Sequence, residues 1–331
     1  MNNLKKIGLT ALAASLVSTS VFAGEVTVAG SASMGISGYS GGTSAVAGGG
    51  KGFSMGNQLT FTGGGELDNG LTVGISFTLD QGDNATATAG PFDSHSVSVS
   101  SDTLGKITLT GEGGGNAAGA LDTTAAGDIW DTFDGGTTAG VGAATGTAVS
   151  SAVSSGEVVT WALPAMVDGL AATVSYSGQQ TGTASTTGWA LTYTGVEGLS
   201  VSYGQGDSST GAGIATSEAD ATTMKASYAY GPVTVAYSNH DYQSAVASSD
   251  QETTSYKVSY TVSDAISISY GSETIDLEGK TLDADFEGIT AAYTAGGMTL
   301  TAKSQSSTDA FHTTALSEDR DYWSLGLAFA F

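Results

Sequence analysis

The last ten residues, 322–331, read YWSLGLAFAF. Trp323, Leu325, Leu327, Phe329 and Phe331 take every second position, with Ser324, Gly326, Ala328 and Ala330 between them. A period of two sends successive side chains to opposite faces of a β-strand, so this segment reads as a strand with one bulky apolar face and one small face. Termini of soluble domains usually fray in polar residues. Here the apolar rhythm runs to the final residue, and its surroundings must accept Phe331.

The same rhythm recurs along the chain. EVTVAGSASMGI puts Val26, Val28, Ala32, Met34 and Ile36 on one side, and LTVGISFTL does so for Leu71, Val73, Ile75, Phe77 and Leu79. WALTY, LSVSYG, VTVAY, YKVSYTV and ISISY follow the same rule with Trp189, Tyr203, Val235, Val258 and Ile268. The connections sort into two sets that alternate. Short joints fall at 67–70, 101–106, 164–169, 195–198, 230–232, 262–265 and 295–297. Long polar stretches fall at about 39–52, 81–94, 113–155, 178–186, 205–220, 241–252, 275–284 and 304–319. Seven short and eight long connections make fifteen, hence sixteen antiparallel strands. Asn69-Gly70 and the other glycine-bearing joints are hairpin chemistry, because tight turns need positive φ at low steric cost.

A soluble sandwich would hide the apolar faces against a second sheet, and its connections would not alternate by length. A closed barrel in lipid accounts for both features. Hydrocarbon offers no hydrogen-bond partner, so every strand must pair on both edges, and closure removes the free edge. Alternate residues then face lipid and lumen, with short turns at the periplasmic rim and long loops outside. The fold expected is all-β: a 16-stranded antiparallel transmembrane β-barrel, its long third outer loop folded into the lumen.

The N-terminus is read separately. Lys5 and Lys6 precede an apolar stretch from Ile7 to about Val17, and Val21-Phe22-Ala23 precede Gly24. This is the pattern of a secretory signal over 1–23, leaving a mature chain of 24–331. The protein has no cysteine, so an exported chain of this kind gains nothing from disulfides. Its 49 glycines show no Gly-X-Y period, which excludes collagen. A formal charge of −23 argues against nucleic acid as a partner.

The segment 113–155 carries Asp122, Asp128, Asp131 and Asp134, interleaved with Trp130 and Phe133. A connection of that length is unusual unless functional or disordered. One reading folds it inward as an acidic pore constriction; the other leaves it as a solvated outer loop. Strand phase turns Lys106, Lys225, Lys257, Lys303 and Arg320 toward the lumen, since a lysine facing lipid costs about 2–4 kcal/mol at mid-bilayer. Metal ligation is confined to acidic outer stretches, 207–220 and 248–252, which could hold Ca²⁺ or Mg²⁺ and bridge to anionic lipopolysaccharide. No EF-hand spacing occurs, and no cofactor is called for. His95, His240 and His312 fall in or near outer loops without HExxH, GxSxG or a phosphate loop, which argues against an enzyme.

With these residues in place, the sequence resembles the Gram-negative general porins, particularly their alphaproteobacterial branch. The likeness is carried by WSLGLAFAF ending in Phe331, ELDNGLTVG (66–74), DTLGKITLTGE (102–112) and VVTWALPAMVDGLAATVSYSG (158–178). It implies an outer-membrane homotrimer, each barrel a water-filled pore narrowed by the third loop. The family also usually carries an arginine cluster across the pore from that loop, whereas this sequence has one arginine, Arg320. The function expected is passive diffusion of ions and small hydrophilic solutes, modestly selective for cations. The alternatives are a substrate-specific outer-membrane channel and a non-conducting, adhesin-like surface protein.

Overall fold

A computed structural model of the chain describes residues 26–41, 51–80, 94–121, 123–134, 149–150, 156–178, 185–209, 218–310, 312 and 319–331. The expected signal segment 1–23 lies outside them.

The first eight strands are β1 (Thr27–Gly41), β2 (Lys51–Glu66), β3 (Thr72–Asp80), β4 (Ser94–Ser101), β5 (Gly105–Gly114), β6 (Gly156–Ala162), β7 (Leu170–Ser177) and β8 (Ser185–Tyr193). The second eight are β9 (Leu199–Ser209), β10 (Ala219–Tyr230), β11 (Val233–Ser244), β12 (Gln251–Ser263), β13 (Ile266–Leu277), β14 (Ala284–Ala295), β15 (Met298–Thr308) and β16 (Arg320–Ala330). Each pairs antiparallel with its sequence neighbours, and β1 pairs with β16, so the sheet closes with no free edge. Among the described residues the one helix is α1 (Asp131–Asp134).

Closure explains the C-terminal stretch. The seam runs in unbroken register from Ser31 opposite Ala330 to Gly41 opposite Arg320. Beyond it the Phe331 N–H donates to Gly30 O at 3.0 Å, and the Gly30 N–H donates to Phe331 O at 2.7 Å. A Cβ on Gly30 would land in the Phe331 ring, so glycine lets the terminal aromatic lie flat on β1. The terminal residue is therefore the last rung of the seam.

All seven short joints fall where the sequence places them, and Gly70 and Gly198 take φ of 79° and 76° there. Several outer connections are shorter than expected, and two of them are described throughout. β11 and β12 run to Ser244 and from Gln251, and β13 and β14 run to Leu277 and from Ala284. There the ladder continues while the outward residues turn polar: Asn239 Nδ2 donates to Glu252 Oε1 at 2.7 Å, and Thr274 Oγ1 donates to Asp285 Oδ1 at 2.6 Å. Backbone pairing persists beyond the apolar stripe, so the stripe alone underestimates strand length.

The apolar stripes face outward and unburied. Val258 and Tyr260 of β12 are 48% and 49% exposed, and Tyr270 of β13 is 46% exposed. The buried apolar cluster lies on the other face: Ile129 and Phe133 pack against Ile275, Ala284, Phe286 and Ala310, with Tyr39 and Tyr322 at its edge. Its packing is inside the barrel wall, between wall and third loop.

Facing determines what a charge costs. Val258→Lys places an ammonium on the outer stripe and is expected to lower the unfolding free energy in lipid vesicles by about 2–4 kcal/mol. Ser259→Lys, one residue on and facing inward, is expected to cost less than about 1 kcal/mol by the same urea titration. Equal costs would contradict the facing.

Candidate functional site: the third loop and the inner wall

The third connection leaves β5 and returns to β6, and residues 115–121, 123–134 and 149–150 of it are described. Its backbone is held by side chains on the face opposite the apolar stripe. The Ala117 N–H donates to Ser175 Oγ of β7 at 2.7 Å. The Ala125 and Ala126 N–H groups donate to Ser238 Oγ of β11 and Ser255 Oγ of β12 at 2.8 and 2.9 Å. The Trp130 N–H donates to Glu273 Oε2 of β13 at 2.9 Å, and Thr132 Oγ1 donates to Gln305 Oε1 of β15 at 3.0 Å. Tyr39 Oη of β1 and Arg320 Nη2 of β16 close the series by donating to Thr132 O at 2.7 Å and Phe133 O at 2.6 Å.

Three of these pegs are serine hydroxyls, which suit places where the loop backbone approaches the wall closely. Gly271 of β13 shows how closely: a Cβ there would stand 2.7 Å from the Ala126 Cβ. A buried N–H or C=O without a partner costs about 1–3 kcal/mol. The loop therefore brings its polar backbone to a wall supplied with matching donors and acceptors.

Of the four acids singled out, Asp122 lies outside the described residues and Asp134 is the last residue of α1. Asp131 opens α1 and is exposed. Asp128 is exposed and takes φ of 53° in a tight turn. Its Oδ1 accepts from Thr124 Oγ1 at 2.8 Å and from Trp130 Nε1 at 3.3 Å.

The basic residues do not face the loop from across the lumen. Lys225 Nζ donates to Thr124 O of the loop at 3.2 Å. Lys257 and Lys303 line one recess with Ala126, Gly127 and Ile129 of the loop. Arg320 is 6% exposed, with its guanidinium carbon 5.8 Å from the Phe133 ring centroid, so it is a buried loop anchor and not an open pore-lining charge. Lys106 stands apart near the short β4–β5 turn, opposite Ser100 and Ala162 and out of phase with Ile107. The inner face of β1–β4 offers small groups such as Ser33, Ser54, Thr60, Ser76, Ser96 and Ser98, with no lysine or arginine.

Two of the histidines expected in or near outer loops are buried. His240 is 2% exposed in β11; its Nε2 donates to Ser150 O at 2.8 Å while Thr223 Oγ1 lies 2.8 Å from Nδ1. It ties the returning arm of the loop to β10 and β11. His312 is 3% exposed, with Nδ1 2.8 Å from Leu282 O. Among the described residues no three His, Asp or Glu converge as a metal site.

One sequence signal marks the docking wall. Tyr39, Ile275, Leu277, Phe286 and Tyr322 are apolar or aromatic residues out of phase with their own strands' outward stripes. In a barrel whose inner face is mostly small and polar, such residues mark where something packs from within.

Residues 8–294 match the family model for Gram-negative porins. The chain belongs to the Gram-negative porin family. As a porin it is an outer-membrane diffusion channel. Its fold is similar to the anion-selective porin from Comamonas acidovorans, with a TM-score of 0.66 at 18% identity, covering 93% of this chain and 99% of that one. It is similar also to Salmonella typhi OmpF in complex with daunomycin, with a TM-score of 0.67 at 12% identity, covering 93% and 98%. A mutant of the Rh. blastica porin gives 0.62 at 16% identity, covering 93% and 100%. A search of curated proteins finds no match.

Arg320→Met tests the anchoring in this porin. The buried Phe133 carbonyl loses its donor, and the expected cost is about 1–3 kcal/mol in urea unfolding, with noisier single-channel current. Unchanged stability and unchanged noise would remove Arg320 from the loop's support.

Proposed function

We propose that this porin is a general, passive channel for ions and small hydrophilic solutes, with a modest preference for cations. The observation that carries the reading is the distribution of charge around the third loop. Asp128 and Asp131 are exposed on the loop, Lys225 and Arg320 are spent on the loop's own carbonyls, and Lys257 and Lys303 are drawn into a recess between loop and wall. The inward face of β1–β4 answers the loop with hydroxyls and no lysine or arginine. A wet passage bordered mainly by carboxylates concentrates cations and repels anions. The same arrangement supports the loop as the constriction, because pegs on eight strands hold it along the inner wall.

The homotrimer belongs to the same proposal. Outward tyrosine and tryptophan side chains occur on β6–β14 and on β16, including Trp161, Tyr176, Trp189, Tyr228, Tyr256 and Trp323. None occurs on β1–β5, whose outward residues include Phe53, Met55, Leu59, Ile75, Val97 and Leu109. Amphipathic aromatics form a belt where a protein meets lipid headgroups. An arc that lacks the belt fits contact with another copy, and three copies is the number the family suggests.

The outer lipid leaflet completes the reading. Asp207 stands directly across from Asp220, Asp241 from Glu252, and Glu252 from Asp276. Like charges in direct cross-strand register repel. Ca²⁺ or Mg²⁺ shared with the phosphates of lipopolysaccharide would offset that repulsion, since hard cations seek several oxygens at once.

Reversal potentials across a KCl gradient test the selectivity. The wild-type channel is expected to favour K⁺, and Asp128→Asn with Asp131→Asn is expected to reduce that preference. An anion preference in the wild type, or an unchanged permeability ratio in the double variant, would overturn the acidic-constriction reading.

A further inference from the structure

A recess of about 160 Å³ lies between the third loop and the wall of β12–β15. Its floor is set by two glycines in direct register, Gly271 on β13 and Gly288 on β14. The missing Cβ groups let Ala126 of the loop press onto Gly271 and Gln305 onto Gly288, and the recess opens beside these contacts. Two lysines enter from opposite sides: Lys257 is the cross-strand neighbour of Gly271, and Lys303 is the neighbour of Thr290 on β14. Gly127 of the loop lies above, where a Cβ would be 3.9 Å from Lys257 Nζ.

The polar groups around this space are chiefly donors. Ser269, Thr290 and Gln305 complete the lining, and no carboxylate belongs to it. Gln305 Oε1 already accepts from Thr132, which leaves its amide NH₂ as the group free to donate. The nearby acids are committed to the loop. Glu273 is fully buried and accepts from Trp130 N–H, and Asp128 accepts from Thr124 and Trp130. Neither Lys257 nor Lys303 has an ion pair or hydrogen bond among the described residues. Two unpaired ammonium groups lining one recess call for an acceptor with several oxygens.

We propose that this recess is a subsite for one small oxyanion, a carboxylate or phosphate group borne by a solute passing through the channel. It goes beyond the cation preference. The acidic loop face sets the sign of the bulk ion traffic, whereas the recess holds one anionic group briefly at the wall. Ammonium–oxyanion hydrogen bonds are charge-assisted and short, roughly twice as strong as neutral ones. A lumen that still contains water keeps such binding weak and reversible, as passage requires.

The test uses the whole porin in planar bilayers, with phosphate or succinate replacing chloride at constant ionic strength and glucose as the uncharged control. The expected result is a saturable fall in K⁺ current at millimolar phosphate or succinate, with none for glucose. Lys257→Gln with Lys303→Gln is expected to raise the half-blocking concentration by about tenfold. Lys280→Gln, which removes a charge outside the recess, is expected to leave it unchanged. The lower of the two midpoints tells phosphate from carboxylate. Conduction by each variant in plain KCl reports an intact channel, so failure of the subsite is distinct from failure of the pore. A current that falls without saturating, or a midpoint that does not move in the double-lysine variant, would overturn the proposal.

Discussion

The constraint on which the rest depends is that hydrocarbon cannot hydrogen-bond a peptide group. Every strand edge must therefore be paired, and in this chain the last edge is paired when β16 meets β1. That single seam explains the rhythm of the final ten residues and the glycine beneath the terminal ring. It also fixes the role of each side chain by parity: one set touches lipid, the other encloses water.

Closure creates an unusual place for a core. The outward stripes cannot pack on one another, so the buried apolar cluster forms inside, where Ile129 and Phe133 of the third loop meet Ile275, Phe286 and Tyr39 of the wall. The polar half of the same contact is made by Ser175, Ser238, Ser255, Glu273 and Arg320. Each of these neutralises a backbone group that would otherwise be stranded. The third loop's seat is thus built into the wall's side-chain pattern, and Lys225, Lys257, Lys303 and Arg320 lie beneath or beside the loop.

Strand number, order and the seven short joints were legible because they rest on local physics, namely a period of two and turn residues that accept positive φ. The outer ends of β11–β14 were not, since pairing continues past the membrane while the apolar stripe stops. Lumen-facing lysines could be assigned by phase alone, but phase gives a face and not a partner. Nothing local to Arg320 reveals that it reaches Phe133, 187 positions away in sequence. Nor does the neighbourhood of His240 announce Ser150. The out-of-phase Tyr39, Ile275 and Phe286 were visible in the sequence, and they carried the missing information about where the loop docks.

The central claim is that the residues of one strand alternate between lipid and water. Because the protein has no cysteine, single cysteines can be introduced one at a time along β12. Position by position, thiols at 257, 259 and 261 should react with a membrane-impermeant maleimide, while fluorophores at 256, 258 and 260 should be quenched by a lipid-dissolved quencher. A two-residue alternation in opposite phase for the two probes is the result the account predicts. Uniform reactivity along the strand, or the reverse phase, would contradict it.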